Sequence, residues 1–183
     1  MLLLNTKSQD LEVFATNEEV RYAILSHTWG SEEVTLALFL AKDKRTDSKG
    51  WDKIRRSCEV AARLGFDYIW IDTCCIDKKS SSELSEAINS MFQWYEKAGV
   101  CIAYLEDVSS ADDPTKDGSQ FAKCRWFSRG WTLQELIAPP RATLLFSRVG
   151  AHRHSNVSPG SHHESVLDPS RDSSHQWPGA EPG

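Results

Sequence analysis

The sequence predicts an α/β fold in which helices flank a mainly parallel β-sheet. Two observations predict it: four short apolar runs recur along the chain, and helical periodicity separates the first three of them. The runs are nearly continuous rather than alternating, which is typical of strands covered on both faces. The predicted strands comprise residues 21–26, 67–72, 100–105 and 142–147.

The first predicted crossover helix lies between the first two strands. Ile54, Cys58 and either Ala61 or Ala62 recur at the spacing of one helix face. Gly65 stands where a left-handed residue commonly ends a helix, because glycine adopts a positive φ without a Cβ clash. We therefore expect this helix to end next to Gly65.

The second crossover helix, between the second and third strands, has a marked start. Ser80 and Glu83 fit a capping box, in which the Ser80 side chain accepts the backbone N–H of Glu83. One apolar stripe follows, formed by Leu84, Ile88, Met91 and Tyr95. We expect Ile88 and Met91 to be buried, and Glu86 to lie on the opposite face.

Two further segments complete the predicted elements. A shorter helix is expected over residues 131–138, because Pro139 and Pro140 cannot continue it. Residues 112–118 combine Asp, Pro and Gly and are predicted to form a surface loop.

The composition changes sharply near Arg148. Residues 148–183 are rich in Ser, Pro, Gly and His and contain no Ile, Phe or Met, so they cannot bury enough apolar surface to offset the entropy of ordering. The 183 residues therefore predict one domain over residues 1–147 and a disordered tail over 148–183. The tail histidines have no fixed carboxylate or cysteine partner, and we expect no metal site.

Charge and cysteine content narrow the classes of partner and compartment. The formal net charge is -5 and the sequence contains no long Lys/Arg block, so a nucleic-acid partner is not expected. Apolar runs are too short to span a membrane. The five cysteines form no C-x-x-C pair and fall mostly in apolar segments, which predicts buried, reduced thiols in a soluble cytoplasmic protein.

Three sequence blocks in order resemble the fungal heterokaryon-incompatibility (HET) family: 22–30 (YAILSHTWG), 65–77 (GFDYIWIDTCCID) and 125–139 (RWFSRGWTLQELIAP). The resemblance covers residues 1–146, after which the family usually continues with an aspartate and an aromatic-rich segment that this chain lacks. It implies an effector that triggers programmed cell death on non-self recognition. It also implies an incompatibility partner protein and self-association, while the departure after Phe146 leaves a truncated, inactive fragment as an alternative.

The HET family is similar in outline to Toll/interleukin-1 receptor (TIR) domains, which have a flavodoxin-like sheet. The segment 131–136 (WTLQEL) resembles their W-C-L-x-E-L element, whose glutamate is catalytic in TIR domains that cleave NAD. This resemblance implies that Glu135 is a catalytic residue and that NAD is a substrate rather than a resident cofactor. The alternative is a glutamate on the helix surface, in a non-enzymatic, TIR-like adaptor that signals by self-association.

The residues after the first strand are candidates for substrate binding, because ligands of parallel sheets bind at the carboxyl ends of strands. Ser26, His27, Trp29 and Gly30 lie there. His27 could bind a phosphate or transfer a proton, Trp29 could stack on a ring, and Gly30 could permit close backbone approach. Alternatively, His27 and Trp29 pack the sheet edge and Gly30 ends a turn.

Asp72 and Asp77 follow the second strand, and Arg129 and Trp131 precede Glu135. Asp72 could bind a ribose hydroxyl or cap the following turn. Arg129 and Trp131 could hold a pyrophosphate and stack on a ring, or form a structural stack in which Arg129 pairs with an acidic neighbour. The adjacent Cys74 and Cys75 are predicted to be buried and inert rather than nucleophilic.

Overall fold

The computed structural model describes residues 1–15, 20–41 and 48–147; the predicted tail over 148–183 lies outside the described residues. The strands are β1 Leu2–Asn5, β2 Leu11–Val13, β3 Tyr22–His27, β4 Tyr68–Trp70, β5 Val100–Ser109 and β6 Ala142–Ser147. The α-helices are α1 Leu36–Leu40, α2 Lys49–Arg63, α3 Ser81–Lys97 and α4 Thr132–Ile137, and short 3-10 turns span Phe121–Lys123 and Arg125–Ser128.

The strands form one mixed sheet in the order β2-β1-β4-β3-β5-β6. The four predicted strands are confirmed and run parallel to one another, while β1 pairs antiparallel with both β2 and β4. Without β1 and β2, the sheet has the order β4-β3-β5-β6. The four parallel strands therefore lie in the order second, first, third, fourth along the chain, and flavodoxin-like sheets begin with the same order. The prediction missed β1 and β2 because three or four residues are too few to show a period.

The central strand β3 is buried along its whole length and contacts helices on both faces. Successive side chains of a strand point to opposite faces, so Tyr22 and Ser26 share one face and His27 lies on the other. The Tyr22 hydroxyl donates to the carbonyl of Trp94 in α3 at 2.7 Å, whereas His27 contacts Lys53 of α2 at 2.9 Å. Helix α2 therefore covers one face and α3 the other.

Helix α2 confirms the predicted first crossover. Its Ser48 side chain accepts the Trp51 N–H at the N-terminus, and Gly65 follows the C-terminus with φ of 83°. The predicted stripe of this helix, Ile54, Cys58 and Ala61, is buried.

Helix α3 begins as predicted but packs with a different face. Ser80 accepts the Glu83 N–H at 3.3 Å, which confirms the N-cap. The prediction that Ile88 is buried is wrong, since Ile88 is 47% exposed, and the inward positions include Ala87, Met91 and Tyr95. The small Ala87 allows close approach to the sheet, and Trp94 packs edge-on against Trp70 from the same face, which turns Ile88 outward.

Met91 is half-buried rather than fully buried as predicted, whereas the predictions on α4, the surface loop and the cysteines are confirmed. Helix α4 ends before the two prolines, and residues 112–118 form turns on the surface. All five cysteines are buried free thiols. Within the described ranges, we find no helix with the length and apolar character needed to cross a bilayer.

Candidate functional site

The candidate site lies at the carboxyl end of β3, where the chain places polar residues on both faces of the sheet. Ser26 is fully buried and His27 is 3% exposed. Because they are neighbours in a strand, their side chains point to opposite faces. One group of polar residues therefore surrounds Ser26, on the side of α3 and α4, and a second surrounds His27, on the side of α2.

On the Ser26 side, Glu135 of α4 reaches the end of β3. Its Oε2 accepts the Ser26 hydroxyl at 2.5 Å and Arg129 Nη1 at 3.3 Å. Ser26 Oγ in turn accepts the indole N–H of Trp126 at 2.7 Å. Glu135 is only 5% exposed, so the alternative of a glutamate on the helix surface is wrong.

The carboxyl group of Glu135 is held in an unusual electrostatic setting. Burial raises its pKa, and this effect exceeds the lowering by the Ser26 hydrogen bond and the Arg129 charge. A carboxyl with a raised pKa exchanges a proton closer to neutral pH, and its anion is stabilised by Arg129. Both properties suit a group that stabilises positive charge or transfers a proton.

Arg129 joins Glu135 to the backbone at the end of β3. Its Nη1 donates to the backbone carbonyl of His27 at 2.6 Å as well as to Glu135. Arg129 thus pairs with an acidic neighbour, as the structural alternative expected. Trp131 precedes α4 and is 47% exposed, without a side-chain cap bond.

On the opposite side, His27 is hydrogen-bonded through both ring nitrogens. Lys53 Nζ lies 2.9 Å from Nδ1, and Nε2 lies 2.8 Å from Asp72 Oδ1. Nδ1 also lies 3.2 Å from the carbonyl oxygen of Thr28, which can only accept, whereas a lysine ammonium can only donate, so two opposing hydrogen-bond partners compete for this nitrogen. Lys53 also forms a buried ion pair with Glu33. Asp72, Lys53 and Thr28 together hold the imidazole ring in place.

Asp72 accepts from two side chains. Its second oxygen accepts the indole N–H of Trp29 at 2.9 Å, and the Lys78 ammonium lies 3.3 Å from the centre of the Trp29 ring. Burial acts to raise the pKa of Asp72, but the charge and hydrogen bond of His27, together with Lys78, lower it overall. Trp29 is half exposed above this network. Asp77 instead accepts the Lys79 N–H in the turn before α3.

A cleft opens on the His27 side, between the end of β3, the middle of β5 and the start of α2. Its walls include Gly30, Glu33, Lys49, Lys53, Tyr104 and Glu106. Of the predicted site residues, only Gly30 lines this cleft. Sequence reasoning missed Glu33, Lys53 and Glu106. Glu33 lies in a loop, Lys53 in α2 and Glu106 in β5, so no single sequence period relates the three residues.

Neither a metal site nor a thiol nucleophile emerges from the described residues. No group of three or more His, Cys, Asp or Glu side chains within 1–15, 20–41 and 48–147 could hold a metal ion. Cys74 and Cys75 are buried, and the hydrogen bond with Cys75 together with burial raises the pKa of Cys74 well above its usual value. A neutral buried thiol is a poor nucleophile.

Comparison with known proteins identifies the family. The chain is 55% identical over 136 residues to the vegetative incompatibility protein HET-E-1 of Podospora anserina, an alignment that covers 71% of this chain and 10% of that protein. The chain thus matches about a tenth of its relative's length. No solved structure matches. Residues 22–121 match the heterokaryon incompatibility protein (HET) family, and the chain therefore belongs to the HET family.

Proposed function

We propose that this domain is an effector of fungal heterokaryon incompatibility, which triggers cell death on non-self recognition by hydrolysing NAD or a related nucleotide. Glu135 is the proposed catalytic residue. The observation that carries the proposal is its buried carboxyl, bound by Ser26 and Arg129 at the end of the first parallel strand. The buried thiols are consistent with action in the reducing cytoplasm.

The proposed reaction requires the carboxylate of Glu135 to lie beside the ribose. Hydrolysis breaks the bond between ribose C1′ and the nicotinamide nitrogen, and water supplies the new C1′ oxygen and the released proton. The ribose passes through an oxocarbenium-like state, so a nearby carboxylate lowers the barrier by opposing its positive charge. Ser26 and Arg129 orient that carboxylate.

A TIR-like architecture is part of the proposal. The parallel strands share the order in which flavodoxin-like sheets begin, and the WTLQEL segment places Glu135 beside the first of them. In such sheets the carboxyl ends of the strands form the ligand-binding edge. The substrate would therefore approach from the edge that holds both polar groups.

A second candidate function is a non-enzymatic, self-associating adaptor. Large apolar side chains are exposed on α3 and around α4, which contact each other. They are Ile88, Phe92, Trp131, Leu136 and Ile137. Exposed apolar residues on adjacent helices are typical of surfaces that bind another protein. The adaptor would kill cells through assembly, without consuming nucleotide.

One assay separates the two functions. Purified protein at high concentration is incubated with NAD, and nicotinamide release is followed by chromatography alongside a toxicity test in cells. Glu135→Gln keeps the shape and removes the charge, so hydrolysis should fall by at least 100-fold. Glu86→Gln, on the exposed face of α3, should hydrolyse NAD like the parent.

The outcomes differ for each function. A folded Glu135→Gln variant that still releases nicotinamide would eliminate Glu135 as the catalyst. Killing by a parent protein that consumes no nucleotide would instead favour the adaptor. In that case, Ile88→Ser and Phe92→Ser should abolish killing while leaving the fold intact.

A further inference from the structure

We propose that the cleft between the end of β3 and the middle of β5 binds the ribose phosphate of a nucleotide, with Glu33 and Glu106 accepting the ribose hydroxyls. This deepens the proposed function and rests on it, because it assigns part of the nucleotide to residues outside the Glu135 group. Nothing in the WTLQEL segment contributes to this cleft.

The position of the cleft favours a ligand. From β3 the chain crosses to β4 on one side, and from β4 it returns to β5 on the other, so β3 and β5 flank the point where the strand order reverses. In open α/β sheets, ligands bind at this reversal, outside the carboxyl ends of the strands. Gly30 follows β3, and Tyr104 and Glu106 belong to β5.

The charges of the cleft favour a neutral hydrogen-bond donor over a metal ion. Glu33 is paired with Lys53, and Glu106 lies 3.4 Å from Arg125. Each carboxylate therefore has a cation beside it, which would repel a divalent metal ion. Glu33 Oε1 already accepts the Gly30 N–H at 2.6 Å and the Lys53 ammonium, so Glu33 Oε2 and the Glu106 carboxylate offer the lone pairs. Sugar hydroxyls are suitable donors for them.

Gly30 keeps the space between the two carboxylates open. A Cβ at this position would lie 3.7 Å from Glu106 Oε2 and 3.8 Å from Glu33 Oε1. These are ordinary contacts, so alanine fits the protein there without a clash. Its methyl group would nevertheless occupy the space through which a vicinal diol reaches both carboxylates.

An unbalanced buried cation next to the cleft favours a phosphorylated ligand. Arg56 is 3% exposed and has no carboxylate partner among the described residues, and its Nε has no hydrogen-bond partner there. Its guanidinium donates to the Phe146 carbonyl and contacts the hydroxyl of Tyr104, a wall of the cleft. A buried charge without a counter-ion is unfavourable, so an anion nearby stabilises it.

The wall of the cleft at the start of α2 carries charges of both signs. Glu32 Oε2 accepts the Lys49 N–H at 3.0 Å, so a carboxylate already occupies this helix N-terminus. The Lys49 side chain, which also lines the cleft, is therefore the cation that favours the phosphate at this end.

The test is calorimetric titration of the whole chain with ribose 5-phosphate, and separately with adenosine 5′-monophosphate and its 2′,3′-dideoxy analogue. Gly30→Ala and Glu106→Gln should each weaken binding of the first two ligands by at least tenfold. The dideoxy analogue should bind the parent at least tenfold more weakly than adenosine 5′-monophosphate. Glu86→Gln is the matched control, and circular dichroism checks that each variant is folded.

The binding outcomes are independent of catalysis. Saturable binding that is retained in Glu135→Gln and lost in Gly30→Ala supports the cleft, whether or not the parent releases nicotinamide. Absence of saturable binding to the parent, or equal binding by the parent and folded Gly30→Ala, overturns the inference. Nicotinamide release that is unaffected by Gly30→Ala would overturn it too, while leaving the proposed function standing.

Discussion

The two sides of β3 differ in how far their polar residues are shielded from solvent. On the side of α3 and α4, Ser26, Trp126 and Glu135 are all nearly inaccessible and satisfy one another. On the side of α2, buried His27 is connected through Lys53 to Glu33 at the wall of an open cleft. We call the first the closed side and the second the open side.

The comparison shows that neighbouring residues of one strand can serve separate tasks. A buried polar group is stable only when its hydrogen bonds are satisfied. The closed side meets that condition internally, whereas the open side leaves carboxylate oxygens available at the cleft. A substrate that reaches Glu135 therefore needs the closed side to open, and a ligand of the cleft does not.

The largest predicted difference in stability separates two tryptophans. Trp126 is 2% exposed and donates to Ser26, so Trp126→Ala removes a large side chain and leaves the hydroxyl without its donor. We expect the free energy of unfolding to fall by about 4 kcal/mol. Trp29 is 51% exposed on the open side. Trp29→Ala should therefore lower the free energy of unfolding by only about 1 kcal/mol. Urea denaturation measures both, and equal losses would contradict the contrast.

The second prediction concerns the buried ion pair that supports the open side. The side chains of Lys53 and Glu33 are 6% and 11% exposed. Lys53→Met leaves Glu33 and His27 without their partner and should cost about 3 kcal/mol. Adding Glu33→Gln removes the unpaired charge and should recover part of that loss. A double-mutant cycle in urea provides the measurement, and simple additivity of the two changes would rule out the pairing.

Sequence reasoning succeeded where a local pattern carries the information. The four parallel strands, the Ser80 cap and Gly65 each depend on a few consecutive residues, and all are confirmed. It failed for Ile88, since periodicity defines an apolar stripe but not how Ala87 and Trp94 orient the helix.

The candidate site was only partly predictable for a related reason. Glu135 became a candidate only through a resemblance to TIR domains, and its contact with Ser26, 109 residues away in the chain, was not predicted. No sequence signal joins Lys53 to His27, or Glu106 to Gly30. These contacts arise from the strand order and from the angle at which α2 crosses the sheet, which are properties of the whole fold.

A smaller effect is expected when Asp72, which accepts from His27 and Trp29, is replaced. Its pKa is lowered in the folded protein, so its contribution is present above the ordinary value of 3.8 and is lost as pH falls below it. Asp72→Asn should cost about 1 kcal/mol at pH 7. The loss should shrink toward pH 3, as followed by thermal melting. Asp117→Asn, in an exposed loop, is the control, and a pH-independent loss at Asp72 would refute the electrostatic account.

The smallest expected effect is the rate at which buried thiols are labelled. This rate tests directly whether the closed side stays closed. Cys101 pairs in register with Ile24 and is 1% exposed, and burial together with the charge of Glu135 raises its pKa. Cys124 is 4% exposed, and burial is the main cause that raises its pKa to about 11. At pH 8 only about a thousandth of such a thiol is ionised, so a disulfide reagent should label the folded protein slowly. Cys124 should react before Cys101, as single Cys→Ser variants will show. Early labelling of Cys101 would mean that the closed side opens to solvent, which is the motion that a substrate of Glu135 requires.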